Sequence, residues 1–416
     1  MSMMPTLSKT ETNIKLPFSF IFYSLVAFSI SQVLLIFSGS FVSNGVFRIP
    51  HLWMIAHLLL LGWALMVAMG AMYQLVPVVF LTPIWNETFG FIQFVITAVG
   101  ITAFALSLAF SPAFIIVSGS LTFIGILMFF FQMIMTIRKQ SEKNIFTLLV
   151  GSGLVCLLLA ISLGILLSAS IGGNISLANH VAVLKSHIVL GVAGWFTLLI
   201  FGFSYKMVPM FSLSHGFSMK LSKPVLIIYL FGLSVTIASF WLESNGWFQL
   251  GLILLFIAFS IFVWHIKEII DKRLKKNLDK PFMFSLLAIL IGWGIHLASV
   301  ILAFISVSQV TFGIILYLYT FGWIIFSILG YLYKIVPFLW WTYRYSKEMG
   351  KPGVPTLKQL MNEKLGLNLF IIFLVCLIGL IIAFTFQLPT FYTLVQFIIA
   401  TASIIFCTAI INVVRK

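Results

Sequence analysis

Charge, and negative charge above all, is what this sequence has least of. Its 416 residues hold 9 Asp and Glu against 24 Lys and Arg, and charged residues make up 8% of the chain. Soluble domains carry about 25%, so an ordinary water-facing surface is excluded. Cysteine is scarce as well. Cys156, Cys376 and Cys407 stand singly in apolar stretches, with no C-x-x-C pair for a metal and no C-x-x-C-H for covalent haem c. Isolated cysteines of this kind are expected to be small core residues. The first sixteen residues are polar and lack a small-residue cleavage site. A removable signal is therefore not expected, and the first apolar stretch should stay as an anchor.

Apolar residues fill the space that charge leaves. The chain is 62% hydrophobic and holds 44 Phe. A helix needs roughly 20 apolar residues to cross a hydrocarbon core of about 30 Å. Twelve stretches meet that length, near residues 17–41, 51–79, 89–112, 113–137, 145–170, 180–211, 223–242, 246–265, 281–306, 309–341, 366–386 and 390–413. They are too long for barrel strands, and only helices or closed barrels satisfy the backbone in lipid. The expected fold is an all-α membrane protein of twelve transmembrane helices. Its least distinct boundary is at Ser111-Pro112.

Lys and Arg cluster before the first stretch (Lys9, Lys15) and after the fourth, sixth, eighth, tenth and twelfth. With twelve alternating spans these clusters share one side, and the positive-inside rule makes both termini cytoplasmic in a bacterial-type cell membrane. The net charge of +15 follows from that rule and from anionic headgroups. Nucleic acid is not an expected partner; the lipid bilayer is.

One signature occurs three times. Gly62-Trp63, Gly194-Trp195 and Gly322-Trp323 each begin the pattern G-W-x6-G-x2-Y-x2-V-P, ending at Pro77, Pro209 and Pro337. The copies recur after 132 and then 128 residues. They fall on the second, sixth and tenth helices, which gives a four-helix unit repeated in parallel about a membrane-normal axis. The units are 1–143, 144–280 and 281–416, in a pseudo-threefold arrangement. The glycines are expected to allow close helix approach and the prolines to end or kink each helix. That makes the signature architectural rather than a ligand site.

Chemistry has few places to sit. The nine carboxylates, from Glu11 and Glu87 to Glu348 and Glu363, all fall in predicted loops, termini or helix ends, so none is placed to carry protons or sodium through the membrane. Lys185, Lys206 and Lys334 are expected to snorkel to the nearer surface. Of seven histidines, His215 and His265 are expected to be solvated, and His51 and His180 open helices at the outer face. His57, His187 and His296 lie within apolar spans as candidate haem or metal ligands. Each taken singly is also an ordinary packed membrane histidine. His57 precedes Trp63 by six residues and His187 precedes Trp195 by eight. On an α-helix that offset is about 200° of rotation, so at similar depths the two rings are expected to face different neighbours in the repeat frame and need not share one metal. Tyr317 takes the position of His57 in the third unit.

Twelve spans in three units, with marked second, sixth and tenth helices, resemble subunit I of the haem–copper oxidase and nitric oxide reductase superfamily. The run from His57 to Gly62-Trp63, followed by Gly70, Tyr73 and Leu75-Val76-Pro77, is similar to helix two of that subunit. The resemblance implies His57 as an axial ligand of a haem on the outer side, and places His187 on the helix that supplies a copper ligand. Helices seven and ten lack the histidines that family uses there, and the proton-channel carboxylates are missing. A functional oxygen- or nitric-oxide-reducing centre is therefore not expected. The implied group is one non-covalent b-type haem for electron transfer, gas sensing or haem handling. His57 would be one ligand, and His187, His296, Met66 or Met69 the second. Arg48 and Lys185 would stand near its propionates, and the small-molecule partners implied are haem or quinone. The alternatives are a ligand-free assembly or structural factor, and a transporter of a neutral solute.

Overall fold

The computed structural model describes residues 12–140, 143–305 and 309–416; Lys9, Glu11 and Glu142 lie outside them. Twelve of its helices are long and apolar enough to cross a membrane. The first four are α1 (Lys15–Ile36), α2 (Pro50–Pro77), α3 (Glu87–Phe110) and α4 (Pro112–Ile137). Next come α5 (Ile145–Ile171), α6 (His180–Ser212), α7 (Ser222–Trp241) and α8 (Asn245–Asp271). The last are α9 (Lys280–Ala303), α10 (Val310–Glu348), α11 (Glu363–Thr385) and α12 (Pro389–Val413). Among the described residues the chain is all-helical apart from one isolated bridge, Ser214 to Arg273. This is the architecture of a multi-pass membrane protein with a lipid-facing exterior.

The helix starts follow local chemistry. Asn86, Asn144 and Asn362 cap α3, α5 and α11, each side-chain oxygen accepting from backbone N–H groups of the first turn. Pro50 and Pro389 open α2 and α12, where a missing N–H costs nothing. The boundary at Ser111 is a break, followed by a single 3₁₀ turn, Pro112–Phe114.

Successive helices pack side by side, and α12 closes the set by packing on α1. The same neighbours recur through the chain: α1 on α2, α5 on α6 and α9 on α10, with junctions α4–α5, α8–α9 and α12–α1. Helices α6 and α2 are the most enclosed, 78% and 67% of their central windows being buried, against 28% for α8 and α9. Two of the three signature helices are thus the most enclosed, and the third, α10, matches α1 and α12 at 50%. In each copy its glycines touch the preceding helix. A Cβ on Gly70 would stand 2.8 Å from Pro17 O, and one on Gly194 would stand 2.9 Å from Cys156 Cβ. Only glycine allows that approach.

Two features depart from the expected signature helix. The G-W pair of every copy sits in a π-helical segment, at Leu58–Leu65, Leu190–Phe196 and Tyr319–Ile325. The prolines lie inside their helices and do not end them. The helix runs past Pro77 to Phe80 and past Pro209 to Ser212, then stops at Leu81 and Leu213 (φ 50° and 54°). The tenth helix continues past Pro337 to Tyr345. Each proline lacks the N–H for one backbone bond, and the helix continues through it.

Candidate functional site

Two imidazoles meet between α2 and α6. The His57 and His187 ring centroids are 6.3 Å apart and their planes differ by 23°. Nδ1 of His57 lies 2.7 Å from Trp53 O on its own helix, and Nδ1 of His187 lies 2.8 Å from Ala160 O on α5. A carbonyl only accepts, so both Nδ1 atoms carry the proton. Both Nε2 atoms are then left with a free lone pair, the tautomer that binds metals, held in place by an outer hydrogen bond. Both rings are half-buried. Phe104 meets the His57 ring edge-on at 5.2 Å. Gly164 on α5 leaves room for the His187 ring, which a Cβ there would approach to 3.1 Å.

Within their own units the two rings have different neighbours, Phe104 of α3 for His57 and Ala160 O of α5 for His187, and they meet across the α2–α6 seam. Between His57 and Trp63, and between His187 and Trp195, the chain passes through π segments with i→i+5 bonding. Both stretches carry such a segment, so it does not remove the two-residue offset between the histidines.

The other candidates lie elsewhere. His296 on α9 is buried against Phe259 and Tyr319, with Nδ1 2.7 Å from Gly292 O. The Lys185 ammonium stands 5.5 Å over the Phe240 ring on α7, whereas His187 turns toward α5. Arg48 is exposed just before α2. Met66 and Met69 are buried, and Met69 Sδ accepts from Gln93 Nε2 at 3.7 Å. Tyr317 is packed between Phe321 and Phe384. Among the described residues no three His, Cys, Asp or Glu side chains group as a metal site.

At the junction of α6, α7 and α10 the side chains are phenols and hydroxyls. Thr197 Oγ1 and Tyr319 Oη are 2.7 Å apart, and Trp323 Nε1 donates to Thr197 Oγ1 at 3.1 Å. Tyr229 Oη donates to Ala193 O at 2.9 Å and lies 3.4 Å from Tyr319 Oη. A three-nitrogen copper site does not fit this donor set. The junction is a packed hydrogen-bonded cluster.

Two polar residues behave differently from expectation. His265 is fully buried, not solvated. Its Nε2–H donates to Ser218 O at 2.7 Å, and its Nδ1 accepts from the signature Tyr205 at 3.2 Å. The helix outlasts the apolar run by enough residues to enclose it. Lys334 does not snorkel freely: it pairs with Asp279, which also accepts from Lys275 at 3.0 Å. Asp279 is partly buried, which works against ionisation. The hydrogen bonds from Lys334 and Lys275 outweigh that and hold its carboxyl below the ordinary value.

One repeat escaped sequence reasoning. Asn86-Glu87 and Asn362-Glu363 each precede a glycine, Gly90 and Gly366, at the same spacing. The signature tyrosines Tyr73 and Tyr333 pack on those glycines. Tyr73 donates to Gln93 Oε1 at 3.0 Å, and Tyr333 to Asn362 O at 2.7 Å. The five-residue text N-E-x-x-G was available but too short to stand out alone. No family model matches the chain, and no curated protein is significantly similar to it.

Proposed function

We propose that this chain is a haem–copper-oxidase-like membrane protein of three pseudo-threefold units that holds one b-type haem between His57 and His187 and has no oxygen-reducing centre. The pair of facing imidazoles carries the proposal. Two imidazoles on opposite sides of one metal, with metal–nitrogen bonds of about 2.0–2.1 Å, have ring centroids about 6 Å apart. A haem needs just two protein ligands, since its macrocycle supplies the other four nitrogens. Zinc and copper sites ask for three or four protein ligands, and no such group exists among the described residues. Trp53 O and Ala160 O hold both rings in the ligating tautomer, and Arg48 stands at the outer face to meet propionates. A haem held by two imidazoles supplies a one-electron couple, which favours electron transfer, with a quinone or another redox subunit as partner, over gas binding. Both termini lie on the side of the basic loops, the cytoplasmic side.

A structural role is the second reading, and His296 favours it. His296 makes the same Nδ1–carbonyl bond four residues back along its helix as His57, with no second imidazole facing it. The carbonyl bond alone therefore does not mark a ligand. In that case the chain is an assembly factor or a neutral-solute transporter.

Protein expressed with ample haem and purified in detergent separates the two. A reduced-minus-oxidised spectrum should show a b-type band at one haem per chain. His57→Ala should abolish the band, His187→Ala should abolish or shift it, and His296→Ala and His215→Ala should leave it. A colourless protein would overturn the haem and leave the structural and transport readings.

A further inference from the structure

The signature tyrosines are followed by Gln74, Lys206 and Lys334. Lys334 on α10 has its counter-charge, Asp279, at the start of α9. Helix α6 packs on α5 as α10 packs on α9. The residue that caps α5 is the uncharged Asn144, whose side chain is spent on its own helix terminus. Lys206 has neither an ion pair nor a hydrogen bond among the described residues. It is half-buried and lines a small apolar pocket with Val76 and Val79 of α2, Phe146 and Val150 of α5, and Phe203 of its own helix.

An unpaired ammonium against an apolar wall is unfavourable unless an anion joins it. Further cations stand where α4 ends and α5 begins, the end of α5 from which Phe146 lines the pocket. Arg138 and Lys139 end α4, Lys143 precedes the α5 cap, and the α5 N-terminus brings its own partial positive charge. The complementary ligand has a negative head and an apolar tail. We infer that this pocket, between α2, α5 and α6 at the basic face, holds one anionic phospholipid, its phosphate on Lys206 and an acyl chain along the apolar wall. The site is independent of the haem.

Native mass spectrometry of the full chain in detergent, with phosphatidylglycerol or phosphatidylcholine added, tests this. The parent should retain one phosphatidylglycerol in preference to phosphatidylcholine. Lys206→Gln should lower its occupancy about fivefold, the effect of one cation near a headgroup, while Lys206→Arg and the exposed-loop control Lys220→Gln keep it. Equal retention of the two lipids by the parent overturns the site, and that arm stands even if Lys206→Gln fails to fold. So does an equal loss in Lys220→Gln, which would mark a diffuse surface effect. Displacement of the lipid by millimolar inorganic phosphate overturns the choice of a phospholipid over a free anion.

Discussion

A cation one residue past the signature tyrosine has two fates in this fold, and both are decided by a single neighbour. Lys334 pairs with Asp279 at the start of α9, whereas the start of α5 is capped by the uncharged Asn144 and Lys206 has no ion pair among the described residues. The carboxyl of Asp279 is held below its ordinary value of 3.8 by its two lysines. A lowered carboxylate contributes its stability in full above the ordinary value and loses it as pH falls through the lowered one. Asp279→Asn should therefore cost about 1.5–3 kcal/mol at pH 7, read as a lower thermal midpoint in detergent. The gap to the parent should stay flat from pH 8 to 5 and close only below about pH 4. A gap that narrows already at pH 6 would mean that another group titrates there. The histidine pair belongs to this scale too: His57 and His187 were both legible as apolar-span histidines, but their meeting was not.

At the scale of the helix, the π segment is the recurring device. It follows His57 directly, follows His187 after two residues, and holds each G-W pair. The three indoles are fully buried, yet only Trp323 has an acceptor, Thr197, two residues after Trp195. The matching positions are Leu65 and Ile325, which accept nothing, and Trp63 Nε1 and Trp195 Nε1 are left without partners. Thr197→Val should strand Trp323 Nε1 and leave Tyr319 Oη only the longer contact to Tyr229 Oη, costing about 1–3 kcal/mol, while Thr197→Ser keeps most of it. Ile325 lines a cavity with Phe28, on which Trp63 stacks at 4.4 Å. Trp63→Phe should then cost about 1 kcal/mol more in an Ile325→Thr background than in the parent. Zero coupling would separate the first unit from the third at this seam and count against the pseudo-threefold arrangement.

For the whole molecule, twelve spans and the placement of basic residues make a topology that can be tested. Reporter fusions at Lys143, Arg273 and Lys351 should all report cytoplasm. An external signal at any of them would break the alternation and with it the assignment of the outer face to His57 and His187. Lys143 follows α4 and Arg273 follows α8, the fourth helices of the first and second units, and Lys351 follows α10. The three fusions therefore sample all three units.

Composition and period alone determined that this is an all-helical chain with twelve apolar spans and placed the break at Ser111. Most ends fall within three residues, but those of α1, α8 and α10 are off by five to seven. Burying apolar length and repeating a text are properties of the chain read in order, so no partner residue is needed to see them. Tertiary structure decided what meets what. It turned His57 toward His187, enclosed His265 under Tyr205, gave Lys334 to Asp279 and filled the α6–α7–α10 junction with phenols. Each of those contacts joins residues far apart in the chain. Each depends on the rotation and depth of one helix against another, and a π turn shifts that rotation without changing the apolar pattern from which a helix is recognised.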